Sequence, residues 1–420
     1  MFVFLARTWE LLLAPLPLST AVKINLFSAA NGALAAAFWF LVVHRVLAFF
    51  SDQELFRRAG AAATTLISAT AFTVWNQSVV NEKVYTVSLM TIALLTWLIF
   101  RWRDNIGRGK DDNLLILIIF LLALSLGNHL MAFLVAPAMA LYVIWVHPRV
   151  LTRWRLYAFA ALAWILGLSA QLFLPIRAAQ RPVISEADPR CESLVDATVD
   201  ILRLHPPVSL VGSSRENDRC PALAESLRRE QYRKPPLNLN PIFYGPGRAN
   251  NPPRDFQLIK WQFINYFQYF DWQWARSLDG RSTFFAWLRA PFTILFVLLG
   301  LFGAWRHFQA DRISWIYFVT LFATVSVGLV IYLNFKYGYS VGAHTVDPST
   351  GQLVPVPRDW REVRERDYFF IVSFSQWGLW AGIGLAALWE RLTQITAGPK
   401  AKLSLQHLRS TAPVLVLALL

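Results

Sequence analysis

Apolar residues in this chain arrive in long blocks separated by short polar stretches rich in arginine. A bilayer core of about 30 Å takes about 20 residues of α-helix. The blocks Ile24–Phe50, Gly60–Val74, Val84–Phe100, Leu114–Leu126, Leu130–Val146, Leu156–Leu174, Thr283–Trp305, Ile313–Phe335 and Tyr368–Leu388 are therefore predicted to be spanning helices. Gly60–Val74 and Val84–Phe100 form a hairpin whose polar tip, Trp75–Tyr85, carries an amide, a carboxylate and two rings at one membrane surface. Leu114–Leu126 and Leu130–Val146 form a tighter pair broken at Gly127-Asn128-His129. Met1–Ser19, with Arg7, Glu10, Pro15 and Pro17, reads as an interfacial amphipathic segment. The organisation expected is that segment (1–19), an N-terminal bundle of about six spans (20–174), an outer loop region (175–282), and a C-terminal region (283–420) of about three spans and a partial one, with a second outer loop at 336–367.

Composition sharpens the class. With 55% hydrophobic and only 16% charged residues over 420, there is too little polar surface for a soluble globule, so the fold class is an all-α multi-spanning membrane protein. A net charge of +14 would suggest nucleic acid in a soluble chain. In a membrane protein the same charge gathers at cytoplasmic span ends and beside anionic lipid, so no nucleic-acid partner is expected. The short basic loops at Arg57, Arg101–Lys110, Arg149–Arg155, Arg306–Arg312 and Arg391–Arg409 alternate onto one side, which the positive-inside rule assigns to the cytoplasm. Residue 82, the Asn128-His129 turn and both long loops then face the other side. So does Met1, and a further span upstream of it is the expectation that follows. The expected location is the cell membrane, multi-pass, the bacterial inner membrane in particular, with the long loops extracytoplasmic.

Several groups within a few residues of the outer boundary could carry chemistry: Glu82, Asn128, His129, Arg177, Glu186, Asp188, Arg364, Glu365, Arg366 and Asp367. Glu82 reads equally as a solvated turn carboxylate beside Lys83, and Asn128-His129 as a turn and helix cap. Arg177, Arg364 and Arg366 are either snorkelling anchors or, because a guanidinium grips phosphate with two parallel bonds, a clamp on a lipid-linked phosphate. Cys191 and Cys220 could pair if their compartment oxidises thiols, or remain two thiols in a polar loop. No CxxC or clustered His/Cys supports a metal site, and no glycine-rich phosphate loop, GxSxG or HExxH occurs. The ring-and-amide run Trp261–Trp274 suits either a sugar-binding surface or, the reading favoured here, a helix lying in the interface.

The run Trp75-Asn76-Gln77-Ser78 through Glu82 and Tyr85, Gly127-Asn128-His129-Leu130, Leu174-Pro175-Ile176-Arg177 with Asp188-Pro189, Arg229-Glu230-Gln231-Tyr232, and Arg364-Glu365-Arg366-Asp367-Tyr368-Phe369 with Gly378–Gly382 together resemble a bacterial membrane family long labelled only as a domain of unknown function. That family is similar to the eukaryotic transmembrane protein O-mannosyltransferase of plexin and Met-type receptors. The resemblance runs in order along nearly the whole chain. It implies a GT-C-like helical bundle with extracytoplasmic loops, acting as a glycosyltransferase that moves a sugar, mannose among the candidates, from a polyprenyl-phosphate donor to a hydroxyl of a protein or glycan acceptor. Membrane lipid and the lipid-linked sugar are the implied partners, and no separate cofactor is implied. Arg177, Arg364 and Arg366 would then hold phosphate, with Gln77, Asn128 and Asp367 beside them and Glu82 and His129 shaping the sugar or acceptor pocket. In the family an acidic motif precedes the segment that Met1–Ser19 matches. The catalytic acid is thus expected outside this chain, leaving Glu82 and His129 as the candidates within it and an inactive fragment as one expectation. A transporter or flippase, or a non-catalytic assembly component, are the other classes compatible with many spans, although neither internal repeats nor mid-bilayer charges favour transport.

Overall fold

The computed structural model describes residues 2–80, 84–109, 111–184, 188–212, 214–232, 235–243, 252–278, 283–398 and 405–419. Helix α1 (Phe2–Leu12) leads into α2 (Thr20–Leu47), α3 (Glu54–Thr70), α4 (Phe72–Val79), α5 (Val84–Asp104), α6 (Asp111–Leu126), α7 (Ala136–Val146), α8 (Trp154–Leu168) and α9 (Phe173–Ala179). A lobe of α10 (Leu194–Leu204), α11 (Val208–Val211) and α12 (Pro221–Arg228) follows, and then α13 (Phe256–Asp271). The chain returns through α14 (Thr283–Ala310), α15 (Arg312–Ala323), a π-turn, α16 (Leu329–Leu333), α17 (Ile371–Ala397) and α18 (Leu405–Thr411). Two three-residue strands, β1 (His344–Val346) and β2 (Leu353–Pro355), pair antiparallel in the second long loop.

The protein is an all-α, multi-span membrane protein. Among the described residues six helices are long and apolar enough to cross a bilayer: Thr20–Leu47, Val84–Asp104, Trp154–Ala179, Arg289–Ala310, Arg312–Leu333 and Asp367–Ala397. The last is the axis, because 89% of its apolar window is buried inside the protein whereas the window in Trp154–Ala179 is only 28% buried. Small residues make that axis possible. Gly378 and Gly382 of α17 lie against the backbone of Ser68 and Thr64 in α3, and Gly384 meets Leu299 and Gly303 of α14. Ser68 and Ser375 share a hydrogen bond of 2.7 Å at the α3 crossing.

One end of the bundle is stitched by charge. Arg45 of α2 holds Asp104 of α5 (2.6 Å), Arg103 of α5 holds Asp311 ahead of α15 (2.6 Å), Arg306 of α14 holds Glu390 of α17 (2.9 Å), and Arg153 holds Asp111 of α6 (2.7 Å). These pairs gather the ends that the basic loops were expected to share. The opposite end carries the ring and charge cluster described next.

Three of the nine expected spans, Gly60–Val74, Leu114–Leu126 and Leu130–Val146, are not among the six long helices: α3, α6 and α7 run only 17, 16 and 11 residues, short of the length a bilayer core needs. Two further local features differ from the sequence expectation. The run Gly60–Val74 is broken between Thr70 and Phe72, and α4 continues at a new angle to Val79. The span expected to end at Leu174 runs on through α9 to Ala179. The aromatic run proves to be α13, capped by Asp255, which accepts from Leu258 N at 2.7 Å. Its amides point into the protein: Gln262 donates to Phe335 O (2.7 Å), and Asn265 accepts from Gly338 N (2.7 Å).

Candidate functional site

Four rings meet where the first turn of α5, the turn before α7 and the start of α17 come together. Tyr85 lies 5.4 Å from His129, 4.9 Å from Tyr368 and 5.8 Å from Phe369, centroid to centroid. Asn128 fixes this junction: its Nδ2 donates to Val84 O (3.1 Å) and to Ser88 Oγ (3.2 Å), so the Gly127-Asn128-His129 break is tied to α5. Asn128→Ala should cost about 1 to 2 kcal/mol of stability by removing both bonds, readable as a lower melting temperature in detergent.

His129 caps the 3₁₀ turn Leu130–Val135, its Nδ1 accepting from Met131 N at 3.1 Å. Burial, aided by the charge of Arg229, pulls its pKa down to about 3 from the ordinary 6.5. The ring is therefore neutral with its proton on Nε2, which suits it to donate a hydrogen bond and not to accept a proton. Because the unfolded chain binds that proton first, the native state loses stability as pH falls from about 6.5 towards 3. The expected loss near pH 5 is about 2 kcal/mol. His129→Asn, which keeps a capping acceptor without the titration, should flatten this slope in denaturation curves taken from pH 7 to pH 5.

The segment before α17 supplies the charged groups. Arg366 Nη2 binds Glu362 Oε2 (2.5 Å), its Nη1 donates to Tyr368 OH (3.0 Å), and its backbone N–H donates to Tyr269 OH (3.1 Å). Glu365 turns the other way, accepting from Tyr269 OH (2.8 Å) and Ser340 N (2.7 Å). Burial and the carboxylate of Glu365 push the Tyr269 phenol well above its usual range, so it stays a donor. Arg364 is exposed, and its described contact is the face of Tyr368, 5.4 Å from guanidinium carbon to centroid. Buried Asp367 accepts from Thr73 Oγ1 at 2.7 Å, and Gln273 secures that threonine by accepting from Thr73 N (2.9 Å) and donating to its hydroxyl (3.0 Å).

The structure thus brings together Asn128, His129, Arg364, Arg366 and Asp367. Gln77 lies one turn beyond Thr73 on α4, buried, its Oε1 without a hydrogen-bond partner among the described residues. Arg177 is not in this group; it is exposed at the end of α9 and donates to Gln180 at 3.2 Å. Asp188 pairs with neighbouring Arg190 (2.5 Å), and Glu82 and Glu186 fall outside the described residues. Cys191 and Cys220 form a disulfide. Sequence reasoning did not single out Tyr85, Tyr368, Thr73 or Arg229 as site residues, although Tyr85, Tyr368 and Arg229 lie in the stretches that carried the resemblance.

Residues 1–152, about a third of the chain, match the family model described as the protein O-mannosyl-transferase TMEM260 N-terminal domain. The chain is similar to that family there. No curated protein and no solved structure matches it. The matched stretch contains Gln77, Tyr85, Asn128 and His129, whereas Arg229 and the Arg364–Asp367 segment lie beyond it.

Proposed function

We propose that this protein is a membrane glycosyltransferase that moves a sugar, mannose if the likeness extends to specificity, from a polyprenyl-phosphate donor to a hydroxyl of a protein or glycan acceptor. The observation that carries the reading is Arg364. It is an exposed guanidinium with no carboxylate partner among the described residues, set over Tyr368 in a ring cluster at a membrane boundary. Such a group suits a phosphate, and the rings beside it suit the apolar face of a sugar.

In this reading the acceptor oxygen forms a bond to the anomeric carbon as the bond from that carbon to the donor phosphate oxygen breaks. Arg364 stabilises the charge that grows on the departing lipid phosphate. Neutral His129 donates from Nε2 to a sugar or phosphate oxygen, and the aromatic cluster orients the ring. The acceptor's proton goes to a carboxylate base and not to His129, whose Nδ1 is already occupied by Met131 N–H.

The arginine-stitched end lies in the cytoplasm and the site outside it. Two independent features support that sidedness: the basic short loops, and a disulfide at the site end, which an oxidising compartment favours. The test is to reconstitute the full chain in vesicles with radiolabelled polyprenyl-phosphate mannose and candidate acceptors. Label appearing on an acceptor supports the reading. Donor crossing the vesicle membrane with no label transferred would replace it with transport.

A further inference from the structure

The lobe from residue 188 to 232 is seated directly on the turn that carries His129. Its core of Ala197, Ile201, Cys220 and Leu223 is continuous with Ala123, Leu126 and Leu168 of the bundle, and Leu130 and Phe133 pack against it. Asp200, fully buried, reinforces the seat by accepting from Cys220 N (2.7 Å) and Arg219 N (3.0 Å).

The arginines of this lobe are not equivalent. Arg190 pairs with Asp188, Arg203 and Arg228 with Asp218, Arg215 with Glu230, and Arg219 with Asp196. Arg229, by contrast, has no hydrogen bond or ion pair from its guanidinium among the described residues. It is half-buried, and its charge bears on both His129 and Tyr85, the latter also within reach of Arg364. A cation held near a neutral imidazole and a phenol, with no anion to offset it among the described residues, is costly unless an anion joins it.

The way Arg229 is held is as specific as where it sits. The disulfide joins Cys191 to Cys220, and Cys220 is followed at once by Pro221, the first residue of α12. That helix is a strut of eight residues, about 12 Å long. At its far end Arg229 takes the left-handed conformation (φ 58°, ψ 36°), its N–H bonding back to Glu225 O and Ser226 O. Strut and cap together fix the backbone from which the side chain leaves.

We propose that Arg229 is a second phosphate-binding residue of the site, acting with Arg364, and that the Cys191–Cys220 disulfide is the clamp positioning it. Phosphate-ester binding is then tighter in the oxidised protein than in the reduced one. This rests on the transferase reading only in taking Arg364 as the other half of the site.

The experiment uses the full chain in nanodiscs of zwitterionic lipid, with polyprenyl phosphate and inorganic phosphate as separate probes. Arg229→Ala should weaken binding about tenfold, the effect of losing one charged hydrogen-bonding partner, and Arg229→Lys should recover part of it. Reduction, or Cys191→Ser with Cys220→Ser, should weaken binding several-fold in the otherwise wild-type protein and add nothing to Arg229→Ala, because both remove the same contact. An Arg229 effect on either probe supports the proposal, inorganic phosphate identifying a free ion as the source and polyprenyl phosphate a lipid head group. Wild-type affinity in Arg229→Ala, or a reduction effect that persists undiminished in it, overturns the proposal. If Arg364→Ala weakens binding and Arg229→Ala does not, this inference alone fails; if neither does, the transferase reading fails with it.

Discussion

Gly303→Leu is expected to give no folded, monodisperse protein, and Gly303→Ala to lower the melting temperature by several degrees. A Cβ at residue 303 would come within 1.8 Å of Trp380 O and 2.6 Å of Gly384 N, both backbone atoms. At the facing position a Cβ on Gly384 would lie 2.1 Å from Leu299 O. Neither side can yield by a rotamer change, so α14 must move off α17 as a body. Overpacking costs about 1 to 3 kcal/mol even where side chains can adjust, and spanning helices associate through close contact of this kind because lipid is as apolar as leucine. Moving α14 would also disturb the neighbouring contacts of α17, since Trp377 donates to Phe296 O (3.1 Å) and Gln376 to Phe318 O. Gly342→Ala is the control: nothing lies within 4 Å of its added carbon, and it should behave as wild type. Size-exclusion profiles and melting curves in one detergent read all three.

What sequence could reveal follows from range. Six of the nine expected spans were legible because lipid demands continuous apolar helices, a local property; the three apolar runs that form shorter helices could not be told from them by composition. The turn at Asn128-His129 was legible because Gly127 and Asn128 interrupt an apolar run. The break after Thr70 was not, since no glycine or proline marks it; Gln273, some 200 residues away, takes the N–H of Thr73 on its side chain, and its backbone O takes the N–H of Phe72 (3.3 Å). The run that forms α13 read as a sugar-binding surface or, by preference, a helix lying in the interface, because alternation of rings and amides says nothing about which way a side chain faces; inside the fold Gln262 and Asn265 are tethers for the 335–338 backbone. Arg177 and Arg229 show the same limit from both sides. Each is one arginine in a polar stretch. Only tertiary pairing leaves Arg229 without a counterion among the described residues and puts Arg177 at the surface beside Gln180.

The site prediction with the largest effect separates two arginines that sequence reasoning treated as a pair. Arg364→Ala should reduce sugar transfer about a hundredfold, the scale for losing one preorganised donor to a leaving-group oxyanion, with little change in melting temperature. Its side chain is exposed and rests on Tyr368, so removing it strands no buried partner among the described residues. Arg366→Ala is different in kind. The Glu362 carboxylate, only 15% exposed, loses the guanidinium 2.5 Å away, and the Tyr368 hydroxyl loses a donor at 3.0 Å. About 2 kcal/mol of stability should go with them, and Tyr368, the ring beneath Arg364, loses one of the contacts that place it. Transfer would then fall through misplacement of the ring, so Arg366→Lys, which keeps the charge on Glu362, should restore stability before it restores rate. Single-turnover transfer measured beside melting curves resolves the two. A hundredfold loss at Arg366 with unchanged stability, or none at Arg364, would assign the phosphate contact to the wrong residue, because an arginine already committed to a carboxylate can reach a phosphate only by giving that partner up.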